Sequence, residues 1–298
     1  MRFQNEREVS NNRRTSVVVD STISLSREQI GELPLTVVPL QVVLDGQTYQ
    51  DGVDLSPDEF YRRQAAGHSM AQTSAPSPAS FQEAFGNAAD AGSDVLCITV
   101  SSQLSATYDA ARTAVELTQE SVPSQSIHLM DSKTAGGAEA LVALAAARAA
   151  QEGKPLDEVV PIATQTANRV YFVGVLESLK HLQRGGRVPR IASWAASLLN
   201  IKPVLAIWPG EGEVRMLARP RSKPRAIERV LNVIEQEAAG KPVHVIVMHA
   251  VAPEEAIVLL DRIQERFTCV ETLTTAFTPV IGAHTGPGLL GVAFYAEE

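Results

Sequence analysis

The sequence predicts an α/β protein in two parts: an N-terminal domain with a mostly parallel sheet flanked by helices, and a C-terminal mixed α/β domain. Three observations predict it. Short β-prone runs alternate with helical segments through the first half, as strand–helix–strand units require. The second half breaks that alternation with Pro209-Gly210-Glu211-Gly212 between two short runs, which reads as a β-hairpin and makes the second sheet mixed. Hydrophobic residues make up 45% of the 298, enough for a large packed core. The division falls near residue 165, giving a disordered leader over 1–15, an N-terminal domain over 16–165 and a C-terminal domain over 166–298.

In order, strands are expected at residues 16–19, 35–44, 95–100 and 127–130, where β-branched residues cluster. Helices are expected at 57–66, 78–91, 105–120 and 135–151. Ser77 and Pro78 have the residue types of an N-cap and a first helical position. Ala110, Ala111, Ala114 and Leu117 recur at helical spacing, and the alanine-rich stretch around 140–150 reads as a core-facing helix. Further on come a strand at 169–176, a short helix at 192–199, the hairpin at 204–217 and a helix at 223–239 ended by Gly240. Strands at 243–248 and 290–295 enclose a helix at 253–266.

Composition excludes several functions. The net charge is −8, and a binder of nucleic-acid backbones needs a concentrated basic face. Aromatics make up 5%, too few for base-stacking platforms. No apolar run reaches the length of a membrane span, and residues 1–14 lack the apolar core of a signal peptide. Cys97 and Cys269 lie in apolar contexts without metal spacing, as expected of free thiols in a reducing cytoplasm.

Three expected strands of the first half end in small polar pairs: Asp20-Ser21, Ser101-Ser102 and Asp131-Ser132. Ligands of open α/β sheets lie at the carboxyl ends of strands, so these pairs point to one sheet edge. After Ser101-Ser102-Gln103-Leu104-Ser105 a helix begins, and its free N–H groups with the neighbouring hydroxyls suit a small anion, carboxylate or phosphate. Thr73 and Ser74 form a second hydroxyl-rich turn, not needed for capping. His284 sits in Ile281-Gly282-Ala283-His284-Thr285-Gly286-Pro287-Gly288, read as a glycine loop that fixes the imidazole. Arg184-Gly185-Gly186-Arg187 and the run Arg219, Arg221, Lys223, Arg225 are local basic clusters suited to a phosphate or an acidic partner. There is no P-loop, dinucleotide fingerprint, nucleophile elbow or metal-ligand spacing. The residues alone leave open a carboxylate binder, a phosphate sensor, and a hydrolase or acyltransferase using Ser101, Ser102 or Ser105 with His284 as base.

Taken in order, these segments resemble the DegV family of bacterial fatty-acid-binding proteins. The resemblance rests on Val19-Asp20-Ser21-Thr22, Val38-Pro39-Leu40 with Asp45-Gly46, Thr73-Ser74-Ala75-Pro76-Ser77, the Ser101–Tyr108 segment, Asp131-Ser132, Leu182-Gln183-Arg184-Gly185-Gly186-Arg187, Ile201-Lys202-Pro203 and the Gly282–Gly288 segment. Ala75 stands where the family commonly has Gln, and Ala106 where it commonly has Gly. The resemblance implies a DegV-like two-domain fold with one long-chain fatty acid buried between the domains, and no other cofactor. It implies a cytoplasmic, non-catalytic subunit that presents the acyl carboxylate to a separate ATP-binding fatty acid kinase subunit, which makes the acyl-phosphate for phospholipid synthesis. Brief contact with a membrane surface would accompany lipid exchange. By the same resemblance, Thr73, Ser74, Ser101, Ser102, Ser105 and His284 bind the carboxylate, while Arg187 and Arg221 face the partner. Some 14 buried methylenes at about 0.8 kcal/mol each would contribute roughly 11 kcal/mol gross, before the costs of association.

Overall fold

The computed structural model describes residues 13–67, 71–186 and 201–298. Its strands form three sheets. The first is parallel, in the order β2-β1-β6-β7, from β1 (Arg14–Asp20), β2 (Leu35–Val38), β6 (Ser93–Thr99) and β7 (Ile127–Asp131). The register sets Val19 beside Val37 and Ile98, so the strands end nearly level. Asp20, Val100 and Asp131 therefore gather at one edge, the crevice where open parallel sheets take ligands. β6 is buried along its whole length, as a central parallel strand must be.

The region expected as one strand over 35–44 is two. Pro39 has no N–H to continue a ladder, and the chain turns into β3 (Gln41–Leu44). β3 pairs antiparallel with β4 (Gln47–Gln50) and β5 (Gln72–Ser74) in a second, small sheet. The single-turn helix α1 (Arg27–Ile30) precedes β2, α2 (Pro57–Ala65) lies between β4 and β5, and α3 (Pro78–Asp90) then starts at an N-cap made by Ser77. The helix expected from residue 105 begins two residues later, as α4 (Thr107–Ser121).

β8 (Tyr171–Val175), β9 (Val204–Ile207), β10 (Arg215–Ala218), β11 (Val243–His249), β12 (Cys269–Ala276) and β13 (Leu290–Ala296) form the third sheet, in the order β10-β9-β8-β13-β11-β12. It is mixed: β11 and β12 run parallel, and every other pairing is antiparallel. β9 and β10 are the expected hairpin. α8 (Lys223–Ala238) ends with Ala239 and Gly240 both at positive φ, a left-handed exit that glycine makes cheap. α9 (Pro253–Arg266) links β11 to β12. The sequence reading passed over β4, β5 and β12; the first two are too short to show a period, and the third alternates weakly. The helix expected at 192–199 lies outside the described residues.

α5 (Gly137–Gln151) joins the sheets. Its alanines leave almost no side-chain bulk, so it is buried on nearly all sides, between β1 on one face and β11 and β13 on the other. One hydrophobic cluster accordingly runs from Val17 and Leu96 through Leu141 to Ile246 and Phe277. α6 (Leu156–Ala167) packs on α5 and tolerates Pro161 inside it. Two short helices complete the fold, α7 (Lys180–Gly185) and α10 (Pro279–Thr285), packed on each other. The sequence suggested a glycine loop around His284; the residue instead occupies the last turn of α10. Gly282 lies inside that helix because the helix presses on α2: a Cβ there would stand 2.4 Å from the Tyr61 hydroxyl oxygen.

Candidate functional site

A cavity of about 370 Å³ opens where the strand ends of the parallel sheet face β8 and β9. That volume falls in the range of small-molecule sites. Its wall is overwhelmingly apolar. Leu40, Val100, Leu176, Leu205, Ile207 and Leu289 supply aliphatic surface, and Phe172 and Phe277 meet edge to face with ring centroids 6.3 Å apart. A few polar groups interrupt it: Thr22, Thr73, Ser74, Ser105, His284 and Thr285.

Each polar group is positioned by an identifiable element. Thr73 sits on β5, held opposite Val42 by the antiparallel ladder. Its hydroxyl lies 2.7 Å from His284 Nε2. The imidazole is fixed from the other side by α7, whose Gly185 comes so near that a Cβ would sit 2.5 Å from Nδ1. α10 itself is anchored by a buried acid, since the Val280 N–H donates to Asp51 Oδ1 at 3.0 Å. The Ser21 hydroxyl donates to the other oxygen at 2.6 Å. Asp51 thus does for α10 what an N-cap side chain does, satisfying a first-turn amide and favouring negative charge there. Burial nevertheless outweighs these bonds and pushes its carboxyl up to about 6.

Ser105 lies on the cavity wall just before α4, and its hydroxyl is 2.8 Å from that of Thr107. Ser101 and Ser102 are not on the wall. Ser101 is fully buried and donates to the Gly212 carbonyl at 2.7 Å, tying the β6 end to the β9–β10 hairpin. The Gln103 side-chain amide donates to the neighbouring Glu211 carbonyl at 2.6 Å, so the two sheets are latched at this point. Ser102 faces outward and donates to Asp131 Oδ2 at 2.5 Å. Burial pushes the Asp131 carboxyl up, but hydrogen bonds from Lys133 and Ser102 prevail and hold it below the usual range. None of the three serines is hydrogen-bonded to His284, whose hydroxyl partner is Thr73.

Arg221 is exposed just ahead of α8 and does not touch the cavity. Arg187 lies outside the described residues. Among the described residues no group of acids, histidines and cysteines has the arrangement to hold a metal ion. None of the described helices is long and apolar enough to cross a membrane. Sequence reasoning missed Asp51, Thr22 and Glu139. Thr22 stands in the Val19-Asp20-Ser21-Thr22 segment, where no role was given to it, and Glu139 is a lone acid in an alanine-rich run; Asp51 carried no signal.

Comparison with known proteins agrees with this architecture. A family model described as an uncharacterised protein of the DegV family matches residues 14–297. The chain is 33% identical over 282 residues to a DegV domain-containing protein of Streptomyces coelicolor, covering 94% of this chain and 98% of that one. It is similar to a solved DegV family protein from Thermus thermophilus, described by its fatty acid binding, with 29% identity, a TM-score of 0.86, and coverage of 95% of this chain and 100% of the other. A stearic acid-binding protein from Eubacterium ventriosum matches at 26% identity and a TM-score of 0.84, over 95% of this chain and 98% of the other.

Proposed function

This chain belongs to the DegV family, and from that premise we propose that it binds one long-chain fatty acid in the cavity and presents the carboxylate to an ATP-binding kinase subunit. The observation that carries this reading is the wall itself: a long apolar surface with hydroxyls and one imidazole set into it. An acyl chain needs the first, and its acid group needs the second. A buried carboxylate is costly unless its oxygens are hydrogen-bonded, and charge-assisted bonds from hydroxyl and imidazole donors are the strong kind. Thr73, Ser74, Ser105 and His284 are the residues we assign to it, with Ser101 and Ser102 holding the turn that carries Ser105. The two-domain division near residue 165 fits this reading, since strands before Asp131 and after Tyr171 belong to different sheets and the cavity lies between them.

Conversion to the acyl-phosphate is assigned to the partner, which would work in the cytoplasm on the exposed head of the lipid. Arg221, and Arg187 from the undescribed segment, are assigned to the partner face. Specificity for fatty acid over sugar phosphates follows from the aliphatic and aromatic wall beyond those polar groups, which would leave the hydroxyls of a sugar without hydrogen-bond partners.

Native mass spectrometry of the protein purified from bacteria tests the reading. A mass increment equal to one fatty acid, retained under gentle conditions, is expected. A chain that carries none and takes up none when palmitate is added would end it.

A further inference from the structure

Beneath the cavity wall lies a pair of buried acids that the proposed function does not use. Asp20 ends β1 and Glu139 stands in the first turn of α5; neither is exposed to solvent. Thr22, on the cavity wall, stands between them. Its Oγ1 is 2.7 Å from Asp20 Oδ1 and 2.5 Å from Glu139 Oε2. A threonine hydroxyl has one proton to give. It cannot donate to both acids, so one of the two contacts must be made by a proton belonging to the acid.

The remaining bonds say which acid. Asp20 Oδ1 accepts the Thr22 N–H at 3.0 Å, and its Oδ2 accepts the Val100 N–H at 2.7 Å. Both of its oxygens are engaged as acceptors, as an ionised carboxylate requires. Among the described residues Glu139 has no such donors: its Oε2 meets only Thr22, and its Oε1 has no hydrogen-bond partner. Among the described residues neither acid forms an ion pair, while Asp131, Asp51 and the Cys97 thiol are the other titratable groups near them. An ionised Glu139 would thus be a second buried charge with one bare oxygen, the costliest state available to it.

We infer that Glu139 is a neutral carboxylic acid that donates its proton to Thr22 Oγ1, so that the Thr22 hydroxyl donates in turn to an ionised Asp20. Burial and the adjacent Asp20 charge both hold the Glu139 carboxyl well above the usual range. Glu139 is then a positioning residue. It fixes the direction of the Thr22 hydroxyl, keeps its donor turned away from the cavity, and preserves Asp20 as the acceptor of the Val100 N–H. Val100 leads directly into the turn that carries Ser105. The proton assignment stands whether or not the cavity takes a fatty acid; the consequence for ligand binding rests on the reading above.

Infrared spectroscopy of delipidated protein at pH 8 tests the proton assignment without any ligand carboxyl in the spectrum. A C=O stretching band of a protonated acid is expected, and Glu139→Gln should abolish it. Because the glutamine amide can donate to Thr22 Oγ1, that variant should melt within about 2 °C of the parent. Asp20→Asn, whose NH2 faces a donor whichever way the amide turns, either the Val100 N–H or the Thr22 N–H and hydroxyl, should lower the melting point by several times as much. No protonated-acid band in the parent, a band that survives Glu139→Gln, or a Glu139→Gln chain that fails to fold would each overturn the assignment. Palmitate binding by the same variants is read separately: Glu139→Gln should bind as the parent does, and a parent that binds no palmitate while showing the band would remove the lipid reading alone.

Discussion

The Thr73 hydroxyl and His284 Nε2 lie 2.7 Å apart although 211 residues separate them in the chain. The contact joins β5, in the small three-stranded sheet, to the last turn of α10, which lies between β12 and β13 of the mixed sheet. The imidazole therefore reaches the cavity only if α10 is seated against both α2 and α7, and the predictions below follow from what seats it.

Gly185→Ala is expected to disturb His284 without disturbing the core. A Cβ would stand 2.5 Å from Nδ1, inside contact distance, so the ring must turn away from Thr73. Acyl phosphorylation by the coupled kinase assay should fall while retained fatty acid and the melting temperature change little. Phosphorylation equal to that of the parent would show that the ring is not held from this side.

Gly282→Ala acts differently, because its added methyl meets the buried Tyr61 and Phe60 rings at 2.4 to 2.9 Å. Overpacking of this kind costs about 1–3 kcal/mol. Thermal denaturation should show a clear loss of stability, with fatty acid retention falling as α10 shifts.

His284→Ala and Ser105→Ala should weaken acyl phosphorylation far more than lipid binding. The hydrocarbon chain supplies most of the binding energy, at about 0.8 kcal/mol per buried methylene, whereas the head is what the kinase acts on. The comparison needs a retention assay and a coupled phosphorylation assay on the same preparations; equal losses in both would contradict this division. Arg221→Glu should impair coupling and leave retention intact.

Ser101→Ala removes the donor to the Gly212 carbonyl and leaves both a buried acceptor and the Gln103 N–H, which donates to Ser101 Oγ, short of a partner. A loss of about 1–3 kcal/mol is expected. Denaturant titration should detect it even in protein without lipid, because the bond latches the two sheets rather than gripping a ligand.

The stability of the folded chain should carry a signature of Asp51 between about pH 4 and pH 6. Burial raises this carboxyl from 3.8 to about 6, so over that window the folded state holds a proton that the unfolded state has released. Its contribution is fully present below pH 4 and is lost as the pH rises through 6, an effect on the order of 3 kcal/mol. Asp51→Asn has no charge to gain, so the parent should lose stability relative to the variant across this window and run parallel to it above. Parallel curves throughout would place the titration elsewhere.

The local pattern of the chain determined most of the architecture. The valine run before Asp20, the buried strand before Ser101, the Ser77-Pro78 start of α3 and the hairpin at Gly210 are set by neighbours within a few residues, where side-chain period and backbone preference act. Hydroxyls at strand ends were legible for the same reason, and so were Thr73, Ser74, Ser105 and His284 as residues of interest. Only the tertiary structure decided which of them share a wall. Ser101 and Ser105 are four positions apart, yet one is locked to Gly212 and the other borders the cavity, because the hairpin of the mixed sheet lands on Ser101 and not on Ser105. Asp51, Thr22 and Glu139 matter through contacts made across 117 to 229 residues. Such contacts leave no period in the sequence. They arise when α5, stripped to alanine, lets two sheets close on each other and strands a carboxyl group between them.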